Sequence, residues 1–352
     1  MFAKGNNKKV FVGLSGGVDS AVSAALLQEQ GYDVTGVFIR IALQGYPCSA
    51  GEDKIDAMRV AAHLKIPFIE IDLSKEYKEE VFRDTIEEFA RGRTPNPDAL
   101  CNQKIKFGHF YDFAMSRSAD FVATGHYAQI ENGKLFAGAD PDKDQSYFLW
   151  MVPQEHLQKT LFPVGHLLKP EVRVLATKFG LPNAARKDSQ GLCFLGDVSI
   201  EDMLRHETLQ VKGDVLSEEG EVIGVHEGAG FYTLGQRHGF MLFANTPHTP
   251  PHYVIEKDAA FNTITVSTLR TPEDAKKTIV SLGKTNWIGD VAGGAYEARF
   301  RYRQKLIPAQ LSAAHSSVTL KEPHYVPLGQ SLVLYKEERC LGGGVVDNST
   351  LI

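Results

Sequence analysis

Apolar positions fall along this chain in two textures. Up to about residue 205, short apolar runs alternate with longer stretches of helical spacing. KKVFVGL (8–14), DVTGVFI (33–39), PFIEIDL (67–73) and DFVAT (120–124) have the pattern of strands buried on both faces. Between them, helical spacing covers Asp19–Gln30, stopping at Gly31, and Glu52–Leu64. A long helix opens at Ser74 and runs to Arg91, and another is expected over Gln103–Arg117. Strands spaced by helices predict an α/β fold with a doubly wound parallel sheet.

Past residue 205 the texture changes. VKGDVLSEEGEVIGVHEG (211–228), HTPPHYVIEKD (248–258) and FNTITVST (261–268) are short strand-like runs joined by turn residues, and the pattern continues to the end without a long helix. This half is expected to be all-β, in small barrels or sandwiches. The expected domains are 1–204, 205–278 and 279–352.

Composition adds limits. The chain has 352 residues, 43% hydrophobic and 23% charged, as in a folded globular protein. No apolar run approaches a membrane span, and MFAKGNNKK leads into a strand without a cleavable signal, so a cytoplasmic setting is expected. The formal net charge of −5 gives no whole-chain sign of a nucleic-acid partner, which would need a local basic surface. Cys48, Cys101, Cys193 and Cys340 are too few and scattered for a disulfide scaffold, and no C-x-x-C pair points to zinc.

The sharpest motif is VFVGLSGGVDSAVSAALL (10–27), a buried strand, then Ser15-Gly16-Gly17-Val18-Asp19-Ser20, then a helix. Two glycines let backbone N–H groups converge on one anion, and the helix adds its positive end. The Walker pattern is absent. The remaining alternative is a glycine-rich turn with no ligand.

Two cysteines lie in polar surroundings: Cys101 in TPNPDALCNQKIKFG (94–108) and Cys193 in ARKDSQGLCFLGD (185–197). Asn96, Pro97 and Asp98 have the character of turn formers, which puts Cys101 in a loop just before a helix, a setting that favours thiolate. Lys104, Lys106, Arg186 and Lys187 are near in sequence. Taken singly, each cysteine is more often an inert residue than a nucleophile. Cys340 is expected to pack in a hairpin, and Cys48 is left unassigned.

SGGVDS, GRTPNPDALCNQKIKF, ATGHYA, KDQSYFL, ARKDSQGLCFLG and RYRQ, in this order, resemble the tRNA-specific 2-thiouridylases of the PP-loop ATP pyrophosphatase superfamily, from about Lys9 to the C-terminus. The resemblance implies a PP-loop catalytic domain, a small central domain that helps bind tRNA, and a C-terminal β-barrel. It implies exchange of the C2 oxygen of the wobble uridine, position 34, for sulfur in the tRNAs for Lys, Glu and Gln, recognised through the anticodon arm. ATP would be held by Gly13, Leu14, Ser15, Gly16, Gly17, Val18, Asp19, Ser20 and Gly125. Ile39 stands where the family usually has Met beside the adenine. Mg²⁺ would accompany ATP, with no fixed metal site in the protein.

Position by position, Asn96, Pro97 and Asp98 would surround the target base, Asp98 as general acid/base; alone, an Asp in N-P-D is a turn residue. His126, Lys143, Asp144, Gln145, Arg301, Tyr302 and Gln330 would approach tRNA. Cys193 would carry a persulfide, and Cys101 would resolve it through a transient Cys101–Cys193 disulfide. A cysteine desulfurase or relay protein would supply the sulfur. In EARFRYRQK (297–305), alternation on a strand would put Arg299, Arg301 and Arg303 on one face and bury Tyr302, so Arg301 is the firmer of the family pair. Arg91, Arg93, Lys104 and Lys106 would complete a basic path. The rival readings are another PP-loop enzyme, such as a small-molecule synthetase or a different tRNA modifier, and a non-catalytic RNA-binding protein with ATP as ligand.

Overall fold

The computed structural model describes residues 7–46, 50–187, 200–207, 211–244, 246, 249–269 and 271–352. Cys48 and Cys193 fall outside them. The first layer is a parallel sheet of β1 (Lys9–Gly13), β2 (Asp33–Arg40), β3 (Phe68–Asp72), β4 (Phe121–Ala123) and β7 (Thr160–Leu161), in the order β3-β2-β1-β4-β7. Both faces are covered, which is why these strands are almost continuously apolar. Val10 and Val12 of β1 face a core built with α1 (Val18–Glu29), α2 (Ala50–Leu64) and α5 (Lys169–Lys178). Phe11, one step out of phase, faces the opposite core, with α3 (74–90) and α4 (97–116).

α3 and α4 each contain a π-helical stretch, Lys78–Phe82 and Asn102–His109. α4 starts six residues earlier than the sequence pattern suggests. Asn96 caps it, its Oδ1 accepting the Ala99 N–H at 3.2 Å, and Pro97 takes the first helical position, where no N–H is needed. The residues expected to form a loop before the helix therefore begin it, and Cys101 lies within the helix.

The β-rich half forms two bodies. β8 (Gly213–Leu216), β9 (Val222–His226), β10 (Met241–Leu242), β11 (Tyr253–Asp258) and β12 (Thr263–Ser267) make a sheet ordered β10-β9-β8-β12-β11 around a small core of Val215, Val254, Ile264 and Val266. β13 (Thr278–Trp287), β14 (Gly294–Arg299), β15 (Ile307–Leu311), β16 (Ser317–Leu320), β17 (Ser331–Lys336) and β18 (Arg339–Leu351) close into a six-stranded barrel through the β13–β18 pairing.

One connection had no signal in the apolar pattern. The hairpin β5 (Ala128–Glu131) and β6 (Lys134–Ala137) leaves the first domain and pairs with β18, Arg339 opposite Phe136 and Cys340 opposite Leu135. The core under α4 is continuous with Ile288, Val333, Tyr335 and Cys340 of the barrel. Burial pushes the Cys340 thiol up to about 12, so it packs as a small apolar group.

Candidate active site

The strand order reverses between β1 and β4, so the crevice at their carboxyl ends is the place where such sheets bind ligands. The loop 14–17 leaves β1 at this point and the loop 124–127 leaves β4. They are in intimate contact, since a Cβ on Gly125 would lie 2.7 Å from the Ser20 nitrogen. The phosphate loop is tied into a cup: the Ser15 N–H donates to Ser20 Oγ at 3.2 Å and Ser20 Oγ donates to the Gly17 carbonyl at 3.1 Å. Gly16 has φ +79°, a left-handed value that suits glycine, and a Cβ there would meet the Asp53 carbonyl at 2.4 Å. The first-turn amides of α1 have no intrahelical acceptor and supply the anion-binding end.

Partners of this loop come from far along the chain, and sequence reading missed most of them. Lys169 Nζ meets both carboxylate oxygens of Asp19, at 2.7 and 2.9 Å, and the Tyr127 hydroxyl donates to Asp19 Oδ1 at 2.8 Å. Asn183 Nδ2 donates to the Gly16 carbonyl at 2.7 Å. Arg186, noted only for its closeness to Cys193, pairs with Asp53 and Asp56 of α2. Nothing in the local sequence around Lys169 or Asn183 signals this, because the pairing is purely tertiary. Ile39 is buried in the core beneath the end of β2.

Helix α4 lies against the same edge. The Phe110 ring is 3.7 Å from the Cβ position of Gly13, and Lys106 Nζ is 3.5 Å from His126 Nε2. Cys101 is a little over one turn upstream of Lys106 and only 1% exposed. The exposed polar setting expected of it is thus replaced by a buried one, because the Asn-Pro cap starts the helix early enough to turn the thiol into the core. Asp98 is half-buried in the first turn. His126 is buried, with Nδ1 2.7 Å from Thr124 Oγ1; burial first, then Lys106, hold its imidazole well below the ordinary range, so it is neutral.

The residues expected to approach tRNA divide. Lys143 is half-buried beside Asp144, which is buried and internally bonded, accepting from the Gly138 and Ser146 N–H groups at 3.0 Å and ion-paired with Arg299. Gln145 brackets Tyr127 through two bonds, 2.8 and 3.0 Å. Gln330 Oε1 accepts from the Tyr147 hydroxyl at 3.0 Å.

The expected strand of alternating arginines ends at Arg299. Residues 300–303 form a turn in which Gln304 Oε1 accepts the Phe300 and Arg301 N–H groups, and Arg303 takes φ +58°. Arg299 is consequently buried, Arg301 is exposed and donates to the Leu234 carbonyl at 2.8 Å, and Tyr302 is half-buried rather than buried, 4.9 Å from the Phe148 ring. Of the other residues of the expected basic path, Arg91 and Arg93 pair with Glu88 and Lys104 with Glu80, whereas Lys106 lies against His126.

A phosphate cup at the switch point of a parallel sheet, followed by two β-bodies, defines a multidomain nucleotide-binding α/β protein. Three family models match it in order: "tRNA methyl transferase HUP domain" over residues 8–197, "tRNA methyl transferase PRC-barrel domain" over 201–268 and "Aminomethyltransferase beta-barrel domain" over 277–346. The chain is 40% identical over 363 residues to tRNA-specific 2-thiouridylase MnmA of Enterococcus faecalis, covering 99% of this chain and 97% of that one. It is 42% identical over 357 residues to tRNA-specific 2-thiouridylase MnmA 1 of Geobacillus kaustophilus, covering 97% and 95%. The chain belongs to the tRNA-specific 2-thiouridylase family. Among solved structures, the U34-tRNA thiolase NcsA of Methanococcus maripaludis aligns at TM-score 0.35 with 22% identity, over 50% of this chain and 59% of that one, too remote to inform the site.

Among the described residues no helix is long and apolar enough to cross a membrane.

Proposed function

We propose that this chain uses ATP to replace the C2 oxygen of uridine 34 in tRNA with sulfur. The observation that carries the reading is the meeting of a phosphate loop and a thiol-bearing helix at one sheet edge, in a chain whose relatives bear that name over nearly their full length. The methyl transfer named in all three matching descriptions fits the site less well, because it has no need of a phosphate-binding loop.

The uracil C2 oxygen attacks the α-phosphorus of ATP and pyrophosphate leaves, held by the amides of Gly16 to Ser20. This converts a poor leaving group into AMP. The terminal sulfur of a Cys193 persulfide attacks C2 and AMP departs with the original oxygen. The Cys101 thiolate then attacks the inner sulfur of Cys193, the S–S bond breaks, the electron pair stays on the transferred sulfur, and a Cys101–Cys193 disulfide remains for a thiol reductant to reopen. Asp98, one turn before Cys101, is the proposed general acid/base. Mg²⁺ is proposed to enter with the nucleotide, because the phosphate charge calls for a hard cation. Asn96, Pro97, His126, Lys143, Gln145, Arg301, Tyr302 and Gln330 are proposed to frame the base and anticodon arm of tRNA(Lys), tRNA(Glu) and tRNA(Gln). A base stacked in a folded anticodon loop must be unstacked before its C2 can react, so the target uridine is flipped into the site. A cysteine desulfurase or relay protein supplies the sulfur, in the cytoplasm.

Mass spectrometry of tRNA from a deletion strain tests this. Thiolated wobble uridine should vanish and return on complementation; its persistence at the wild-type level would refute the assignment.

A further inference from the structure

The segment that joins α3 to α4, residues 93–96, is bonded mainly to the other two domains. The Thr94 N–H donates to the Leu328 carbonyl of the barrel at 2.7 Å, and Thr94 Oγ1 lies 3.4 Å from Thr233 Oγ1 of the central domain. Asn96 Nδ2 donates to Ser331 Oγ at 3.1 Å, and Arg93 Nη2 donates to the Val346 carbonyl at 3.0 Å. The approach is close: Gly329 has φ +82°, and a Cβ there would stand 3.0 Å from Arg93 Cβ and 3.2 Å from the Thr94 nitrogen.

Asn96 works in two directions at once. Its Oδ1 caps α4 through the Ala99 N–H, while its Nδ2 reaches Ser331. Movement of Ser331 is therefore movement of the N-cap of the helix that bears Asp98 and Cys101. The outer partners sit next to residues with an RNA-facing role in the reading above. Ser331 adjoins Gln330, and Thr233 adjoins Leu234, whose carbonyl holds the exposed Arg301 at 2.8 Å.

We propose that Ser331 and Thr233 are positioning residues, through which seating of the RNA on the two downstream domains sets the place of Asp98 and Cys101. The inference rests on the function proposed above. It predicts that loosening this joint misaligns sulfur transfer more than adenylation, because the phosphate loop is held by a separate set of partners.

The test measures thiolated product and AMP released in the full-length chain with saturating tRNA. Ser331→Ala should lower the thiolation kcat about tenfold, as expected for a displaced reacting group, with the KM for tRNA within about twofold of wild type. AMP released per thiolated tRNA should rise. Thr233→Val should act in the same direction, and Thr233→Ser, which keeps the hydroxyl, should restore the wild-type ratio. Wild-type coupling in both Ser331→Ala and Thr233→Val overturns the inference. So does a proportional loss of AMP and thiolated product with a lowered melting temperature, which marks a general packing defect. A wild-type chain that makes no thiolated tRNA overturns the functional reading itself, so the two failures are distinct.

Discussion

The phosphate loop and helix α4 share one sheet edge but are held in opposite ways. The loop closes on itself: Ser15, Gly17 and Ser20 bond one another within six residues, and distant groups such as Lys169 and Asn183 brace a shape already formed. The entry to α4 is capped locally by Asn96, but the segment before it is also bonded to residues more than a hundred positions away in two other domains. The difference teaches that nucleotide capture is a local property of the first domain, whereas thiol placement belongs to the whole chain.

The sharpest way to break the comparison is to remove the thiols. Cys101→Ser and Cys193→Ser should each abolish thiolation while tRNA affinity stays within about twofold, read by product analysis beside a binding titration; lost binding in both would mark them as structural. Asp19→Ala should come next, lowering ATP-dependent adenylation about a hundredfold through loss of the clamp between Lys169 and the loop. Unchanged adenylation kinetics would detach the loop from ATP chemistry.

Asp144→Ala probes the joint between first domain and barrel. It leaves the Arg299 guanidinium buried without its carboxylate, and unfolding should cost about 3 kcal/mol less than in wild type. A melting temperature unmoved by the change would mean that the pair is well solvated.

The smallest effect lies in the central domain, which neither comparison partner governs. Burial brings the Lys257 ammonium down to about 8 from 10.5, its Nζ donating to the Tyr232 carbonyl at 2.8 Å. The folded chain then binds fewer protons than the unfolded one between these values, so stability should rise as pH climbs from 8 to 10.5 and stay flat on this account below 8. The rise should be on the order of 2 kcal/mol and should disappear in Lys257→Met, measured by urea unfolding across that range.

What the sequence made legible follows the same division. The four main strands, the phosphate loop and the change to β-structure after residue 205 are written in local periodicity and glycine placement, and the structure has them where expected. The start of α4 was misread because Asn-Pro-Asp serves turns and helix caps equally, and only the accepted Ala99 N–H decides between them. Arg299 and Arg301 were placed on one strand face because alternation was carried past the point where Gln304 closes a turn. Lys169 was invisible, since its partner is 150 residues away. The positions of Cys48 and Cys193 lie outside the described residues.

The hairpin 128–137 crosses from one domain to pair with the start of β18 in another, at Arg339 and Cys340. A fragment ending before the barrel would keep its ATP loop yet present the bared edge of β6 and an uncovered apolar floor beneath α4, an invitation to stick to its own copies. Biochemists who trim this chain to its nucleotide-binding part should therefore expect aggregates.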